Sequence, residues 1–374
     1  MKRGSPHARI ARLPGNLDQF CACPATSGLF RPRSEVMTAS RLLSLAEILP
    51  SELAPVAAME LHPAAALGAI AAEDVLMAEG WPRMAFARDP GYAVRARMLI
   101  GATAYEPAIL PASTPCLAAG DALPDSADAV LPAQTVVASA IGFEAFAPIR
   151  PGEGIRRKGQ DWPAGRTLLR EGSRIGPMEQ ALLVAMKVPA IRVRRVAVSL
   201  DKALPDAVRH LLAGWAGALG LMITGPAQAQ FQIEACPLCE ARLALKPGRF
   251  GALHRDAETI SLAIPPDLAE ATGLWHAVAL PVLASLSGAG VVQSRGRLAG
   301  KLVSGIGFSE LAFLSRESEA WLPLETGDCT LATLAQAQAV SLLPAGSEGQ
   351  PAGAEITLLP LGGAFSTMFD RMLV

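Results

Sequence analysis

Apolar and polar positions along this chain change period several times, and each change marks an element. Ser44–Leu53 (SLAEILPSEL) reads as a helix, with Ser44 and Glu47 at the spacing of a capping box. Ala64–Val75 (AAALGAIAAEDV) reads as a second helical piece running into an extended segment. From Val94 to Phe146 short apolar runs alternate with Pro, Gly and Asp, which predicts a small β-rich insertion. Gly176-Pro177 then opens a helix whose apolar face is Met178, Leu182, Leu183 and Met186, ending near Val188-Pro189.

Alternation resumes after that helix with a fault in it. Ile191 and Val193 share one parity; Val196, Val198 and Leu200 have the other, and Arg194-Arg195 stands at the break. A slip of one residue sends side chains to the opposite face, so two strands are predicted rather than one. The second, Arg195–Leu200, is apolar enough to be the buried first strand of an α/β unit. Ligands gather beyond the carboxyl ends of such strands, which puts Asp201 and Lys202 at a functional edge. Asp206–Leu221 repeats Val208, Leu211, Leu212, Trp215 and Leu219 at helical spacing. A strand-like Leu221–Thr224 follows. Near the C-terminus a double turn, Pro344–Gly353, joins extended runs at Ala339–Leu343 and Glu355–Leu359.

Length and composition narrow the class. The 374 residues suffice for two to three domains, and 51% apolar against 18% charged residues describes a core-forming chain. A net charge of −1 argues against nonspecific wrapping of nucleic acid, so local cationic segments must do any anion binding. Charge, Pro or Gly interrupts every apolar run before it reaches membrane-spanning length. Residues 1–40 are rich in Pro, Arg and Gly without periodicity, and are expected to be a disordered leader or an over-long start ahead of Met37. The six cysteines are scattered, which suits reduced thiols of a cytoplasmic protein better than a disulfide framework. Cys236 and Cys239 form a CxxC, but with no second pair at zinc spacing they read as ordinary core or surface cysteines. The five histidines form no spaced cluster.

The densest chemistry lies in Arg150–Leu200. Arg150, Arg156, Arg157, Lys158, Arg166, Arg170 and Arg174 face only Glu153, Asp161 and Glu171 in number, on a backbone turned by Gly152, Gly154, Gly159 and Gly165. Guanidinium forks held on such turns suit phosphate or carboxylate. A second cationic turn, Leu243–Phe250 (LALKPGRF), carries Lys246 and Arg249 around Pro247-Gly248. It reads equally as an anion-binding loop or as a hairpin with solvated ends.

The order of these features resembles the molybdopterin molybdotransferase family, to which bacterial MoeA and the gephyrin E domain belong. Ile155-Arg156-Arg157-Lys158-Gly159-Gln160-Asp161, then Gly165, Leu168-Leu169, Gly172, Pro177, Leu182-Leu183 and Arg194–Ser199 follow the family's central block. Gly91-Tyr92-Ala93-Val94 matches half of its Met-Asp-Gly-Tyr-Ala-Val signature, and Leu243–Phe250 its Met-Lys-Pro-Gly-Lys-Pro. Pro344–Gly353 matches its C-terminal Pro-x-Gly-x-x-x-x-Pro-x-Gly turn. The departures fall on acidic and hydroxyl positions. Pro90 stands where the family has an aspartate, with Asp89 one residue early. Ala119 replaces a threonine, Gln134 a glutamate, and Leu200–Ala203 the Thr-Gly-Asp-Glu run. Phe308 replaces an arginine in Gly307–Glu310, and Pro266-Asp267 replaces a Gly-Asn pair after Pro265.

The resemblance implies an α/β plus β fold with MoeA-like multidomain architecture. Its parts would be an elongated N-terminal domain from 41–93 and 147–190, a β-rich insertion at 94–146, a shortened α/β molybdopterin-binding domain at 191–292 and a C-terminal β-barrel-like domain at 293–374. It implies molybdopterin or its adenylylated form as ligand, molybdate as cargo, Mg²⁺ as cofactor, and a homodimer in the bacterial cytoplasm. On this reading Asp161, Asp89 and Asp201 are the candidate catalytic carboxylates. Arg156, Arg157, Lys246, Arg249, Pro265 and Asp267 are the candidate ligand-binding residues. Two functions follow: a divergent molybdotransferase that still inserts molybdenum, or a homologue that binds the pterin with that activity reduced or lost. In the second case the chain would serve as a carrier or partner for a molybdoenzyme or an intact paralogue. The lost carboxylates favour the second, because metal chemistry depends on charged oxygens more than phosphate binding depends on exchanging Lys for Arg.

Overall fold

A computed structural model of the chain describes residues 41–236, 241–256 and 259–364. The expected leader and Cys239 lie outside the described residues.

Helix α1 (Leu45–Ile48) is shorter than the sequence predicts. The capping box forms, with the Ser44 N–H donating to Glu47 Oε2 at 2.8 Å. Pro50 ends the helix early by excluding helical geometry at Leu49, whose φ and ψ are −73° and 129°. Ala64–Val75 is not helical. It makes one 3₁₀ turn, Pro63–Ala65, and then two short strands, Ile70–Ala71 and Val75–Leu76. Helix propensity loses here because Ile70 and Ala71 pair with Arg194 and Val193, and because Gly68 turns the chain at φ 79°. Gly68 also sits against Gly220, where a Cβ would meet the neighbouring backbone at 3.1 Å.

The strand Ile191–Arg194 is the middle of a three-stranded antiparallel sheet between Met59–Leu61 and Ile70–Ala71. Against it packs α2 (Pro177–Ala185), which buries Leu183 and Met186; Met178 faces solvent, unlike its sequence assignment. Chain paths out to the β-rich insertion and back lie side by side, Phe86–Ala87 pairing with Ile155–Arg156. Between those paths two three-stranded sheets enclose Val94, Leu99, Leu110 and Leu131.

The predicted break at Arg194-Arg195 separates two cores. Ile191 and Val193 face the first; Val196 and Val198 face the second, in a sheet of their own. That sheet runs Met222–Ile223, Ala197–Leu200, Phe231–Ala235, Ile260–Ile264, all parallel, with Ala252–Arg255 antiparallel at the edge. Parallel strands need both faces covered. Helix α3 (Asp206–Leu219) supplies Val208, Leu212, Ala216 and Leu219 and stops at Gly220, held at φ 78°. The chain crosses from Met222–Ile223 to Phe231–Ala235 with only the 3₁₀ turn Pro226–Gln228, so one crossover of this layer has no helix. A nearly continuous helical run covers the sheet: α4 (Leu268–Leu274), a π-helical segment Trp275–Ala279, and α5 (Leu280–Ser287).

The last part is a β-domain around the hairpin of Ser309–Glu317 and Ala320–Thr326. Ala339–Leu343, Glu355–Pro360 and Ser294–Arg297 continue the sheet on one side. Helix α6 (Leu331–Gln336) starts at Thr330, whose hydroxyl accepts the Thr333 N–H. On the other side Leu245–Lys246, a segment of the α/β part, adds in parallel to Ser309–Glu310. Leu243–Phe250 is therefore not a hairpin.

Trp275 and His276, at the start of the π-helical segment, both bond the backbone of Gly362. Trp275 Nε1 donates to the Gly362 carbonyl at 2.8 Å, and the Gly362 N–H donates to His276 Nε2 at 3.0 Å. With Nε2 accepting, the proton sits on Nδ1, which donates to the Thr272 carbonyl at 2.8 Å. Full burial pushes the imidazole down to about 4 from an ordinary 6.5. The unfolded chain therefore takes up a proton near pH 6.5 that the folded chain refuses until about pH 4. Stability is full above that window and falls across it by up to about 3 kcal/mol. Thermal unfolding midpoints between pH 7 and 4 should drop more steeply in the wild type than in His276→Gln, and parallel curves would contradict this assignment.

Candidate functional site

The candidate residues fall into two groups. The first lies where the paths to and from the insertion meet. Arg88 binds Asp89 Oδ2 through Nη2 at 2.8 Å and Nε at 3.0 Å, and Arg156 Nη1 binds Asp161 Oδ1 at 2.7 Å. Arg157 donates from Nη2 to the Pro151 carbonyl at 3.1 Å, lying over Gly152, where a Cβ would meet that nitrogen at 1.8 Å. The carbonyl of Gly154 accepts the N–H groups of both Arg88 and Asp89, which ties Asp89 to the strand carrying Arg156. Both predicted acids of this group are thus half-exposed and ion-paired with a neighbouring arginine.

The second group lies at the carboxyl ends of the parallel strands. Asp201 follows Ala197–Leu200, and its carboxylate is taken up by backbone: Oδ1 accepts the Ala203 N–H at 2.9 Å, Oδ2 the Ala235 N–H at 3.3 Å. Beside it Lys202 is exposed. Pro265 is buried and Pro266 exposed after Ile260–Ile264. Asp267 is the N-cap of α4, its Oδ1 accepting the Glu270 N–H at 2.9 Å.

Facing that turn is the cationic loop. Gly248, at φ 127°, lets it fold tightly, and Gly273 of α4 lets it come close; a Cβ at Gly273 would stand 1.8 Å from the Pro247 carbonyl oxygen. Arg249 lies 4.7 Å over the Phe250 ring. The Lys246 ammonium lies 4.4 Å over the Phe308 ring and 3.9 Å from Glu310 Oε1.

Two carboxylates here escape sequence reasoning. Glu310 is 6% exposed, and its Oε2 accepts the Ser304 hydroxyl at 2.9 Å and the Gly305 N–H at 2.8 Å. Glu270 stands three residues after Asp267, the spacing of a capping box, but its Oε2 instead accepts the Phe250 N–H of the cationic loop at 3.3 Å. Burial pushes the Glu270 carboxyl up, against backbone hydrogen bonds from Phe250 and Gly248 and the charge of Arg249. Periodicity could not find either residue, because each acts on a segment distant in the chain, Glu270 on Phe250 and Glu310 on Lys246. Cys329 is close enough to feel Glu325, Asp267, Asp328 and Glu270. Burial first, then those charges, push its thiol up to about 12, so it is no nucleophile.

No hydrogen bond or ion pair among the described residues joins the two groups. Among the described residues no three His, Cys, Asp or Glu side chains converge as a metal cluster. A cavity of about 340 Å³ lined by Leu76, Arg83, Met186 and Lys187 shares no residue with either group. Its polar lining is the Glu79–Arg83 ion pair with Lys187. Another of about 240 Å³ is apolar and borders the α4 turn through Leu268 and Thr272, with Trp215 and Leu331 opposite.

A multidomain α/β plus β protein with an anion-suited loop at a domain junction is the class these features define. Residues 36–186 match the MoeA N-terminal region (domain I and II). No curated protein matches the chain in sequence. Among solved structures it is similar to the molybdopterin biosynthesis moeA protein of Pyrococcus horikoshii, at 20% identity and TM-score 0.65 over 86% of this chain and 99% of that one. A second structure described as that protein gives 18% and 0.61, over 85% and 99%. A molybdenum cofactor biosynthesis protein from Pyrococcus furiosus gives 15% and 0.52, over 85% and 99%. The fold beyond residue 186 is therefore the MoeA fold.

If Asp267 serves as a cap, Asp267→Asn should keep stability nearly unchanged, since Asn caps as well, whereas Asp267→Ala should cost about 1 kcal/mol. Urea midpoints decide this; equal losses in both variants would show that the carboxylate charge, not the cap, matters.

Proposed function

We propose that this chain works in molybdenum cofactor biosynthesis, binding molybdopterin or its adenylylated form with metal insertion reduced or lost. The observation that carries the reading is the division of labour at the strand ends. The cationic loop keeps Lys246 and Arg249 at an anion-accessible junction, while Asp201 has its carboxylate committed to the backbone N–H groups of Ala203 and Ala235. Lys246 and Arg249 would take the phosphate of the pterin, as a point charge and a planar fork respectively. Pro265 and Asp267 would border it. Arg156 and Arg157, on their glycine turns, would contact a second anionic part of the ligand, with Asp161 and Asp89 orienting the arginines rather than holding a metal.

Molybdate in this scheme is cargo, and no step is drawn through Mg²⁺. The MoeA match of residues 36–186 and the MoeA fold support the ligand class. We further propose that the chain acts as a homodimer in the bacterial cytoplasm, beside an intact paralogue or a molybdoenzyme. Its units would be 41–93 with 147–190, 94–146, 191–292 and 293–374. No helix among the described residues is long and apolar enough to cross a membrane.

Titration with purified molybdopterin, followed by pterin fluorescence, should saturate in the wild type and weaken about tenfold or more in Lys246→Met. Absence of saturable binding would remove the reading. Restoration of molybdoenzyme activity by this chain alone, in cells lacking a molybdotransferase, would show that insertion survives and overturn the reduced-activity half.

A further inference from the structure

The loop read as an anion site already holds anions that belong to the chain. Glu310 sits behind Lys246, its Oε1 3.9 Å from the ammonium, while Ser304 and Gly305 anchor its other oxygen. This anchoring matters: a carboxylate with its own two donors, 6% exposed, does not swing away when a ligand arrives. Glu270 reaches from α4 into the other end of the loop and accepts the Phe250 N–H, a backbone donor an incoming oxyanion would otherwise use. Phe308 closes one side of the Lys246 ammonium with its ring. Each end of the cationic loop is thus matched by an internal carboxylate, one from the β-domain and one from the helical run.

We propose that Glu310 and Glu270 are specificity-determining residues that set a charge limit on the Lys246–Arg249 loop, disfavouring highly charged free phosphates. The proposal rests on the reading of this loop as the anion site. A multiply charged oxyanion placed on Lys246 would stand a few ångströms from Glu310 and feel a repulsion comparable to its attraction. A phosphate esterified to a larger organic group carries less charge and adds contacts of its own, so it tolerates the carboxylates better. The arrangement therefore disfavours inorganic pyrophosphate relative to a less charged phosphate ester.

The probe is inorganic pyrophosphate, titrated calorimetrically at low ionic strength into wild type, Glu310→Gln, Glu270→Gln and Lys246→Met. Each Gln variant keeps the shape of the side chain and removes only the charge, so each should bind pyrophosphate on the order of tenfold more tightly than wild type. Lys246→Met should abolish the gain when combined with either. A gain cannot arise from damage to the fold, and the two Gln variants lie on different elements, so loss of one does not remove the test. Gain in neither variant, including no detectable binding by any protein, overturns the proposal. Gain in one alone assigns the role to that carboxylate and overturns it for the other. Molybdopterin binding by wild type with no Gln gain leaves the functional reading intact and removes this inference. The reverse pattern, Gln gain without any molybdopterin binding, does the opposite.

Discussion

The structure turns on the grip of two consecutive side chains on a single residue. Trp275 and His276 hold the two backbone polar groups of Gly362, one donating to its carbonyl and the other accepting from its N–H. Both side chains leave the π-helical segment Trp275–Ala279 between α4 and α5. Gly362 must be glycine, since a Cβ there would meet the Trp215 ring at 2.5 Å. The last strand of the β-domain is thereby tied to the helical layer over the parallel sheet. With Leu245–Lys246 added to the β-domain's edge, the α/β part and the β-domain share both hydrogen bonds and core.

That junction also sets the surroundings of the cationic loop. Lys246 is drawn from the α/β part onto the same ladder as Glu310, and Glu270 comes down from α4 because Gly273 lets the helix sit against the loop. Opposite charges meet there with Lys246 partly exposed and Glu310 buried, so the pair is incompletely screened and its attraction is offset by desolvation. Its effect is on what else can approach. The acidic surroundings of Cys329 show that the negative charge extends beyond the two carboxylates nearest the loop. A loop of this balance differs from a purely cationic phosphate cradle, although its Lys-Pro-Gly turn looks the same in one dimension.

The first group has the opposite character. Asp89 with Arg88, and Asp161 with Arg156, are exposed pairs on glycine turns, joined through the Gly154 carbonyl. Their geometry comes from the Phe86–Ala87 and Ile155–Arg156 ladder, which brings together chain segments lying on either side of the whole insertion. The Asp89 carboxylate is taken up by its neighbour Arg88.

How much of this was legible beforehand differs by element. The parity break at Arg194-Arg195, the helix opening at Pro177, the helix at Asp206 and the Ala339–Leu343 to Glu355–Pro360 double turn were all readable, because each is written in local period and turn chemistry. The alanine run at Ala64–Val75 misled, since strand pairing with Val193 and Arg194 outweighs a weak helical propensity. Met178 and the length of α1 misled for similar reasons. The order of motifs carried the MoeA resemblance, and the cationic residues Lys246 and Arg249 could be named from composition at a turn. What the chain's letters could not disclose were Glu310 and Glu270, or that Asp201 and Asp267 are occupied by backbone donors. The Glu310–Lys246 and Glu270–Phe250 contacts join segments twenty or more residues apart, and such partners leave no period in the sequence. Asp201 and Asp267 bond near neighbours, but only the backbone path shows that they do. Local chemistry decided which elements exist; packing around Gly362 and Gly273 decided which charges meet.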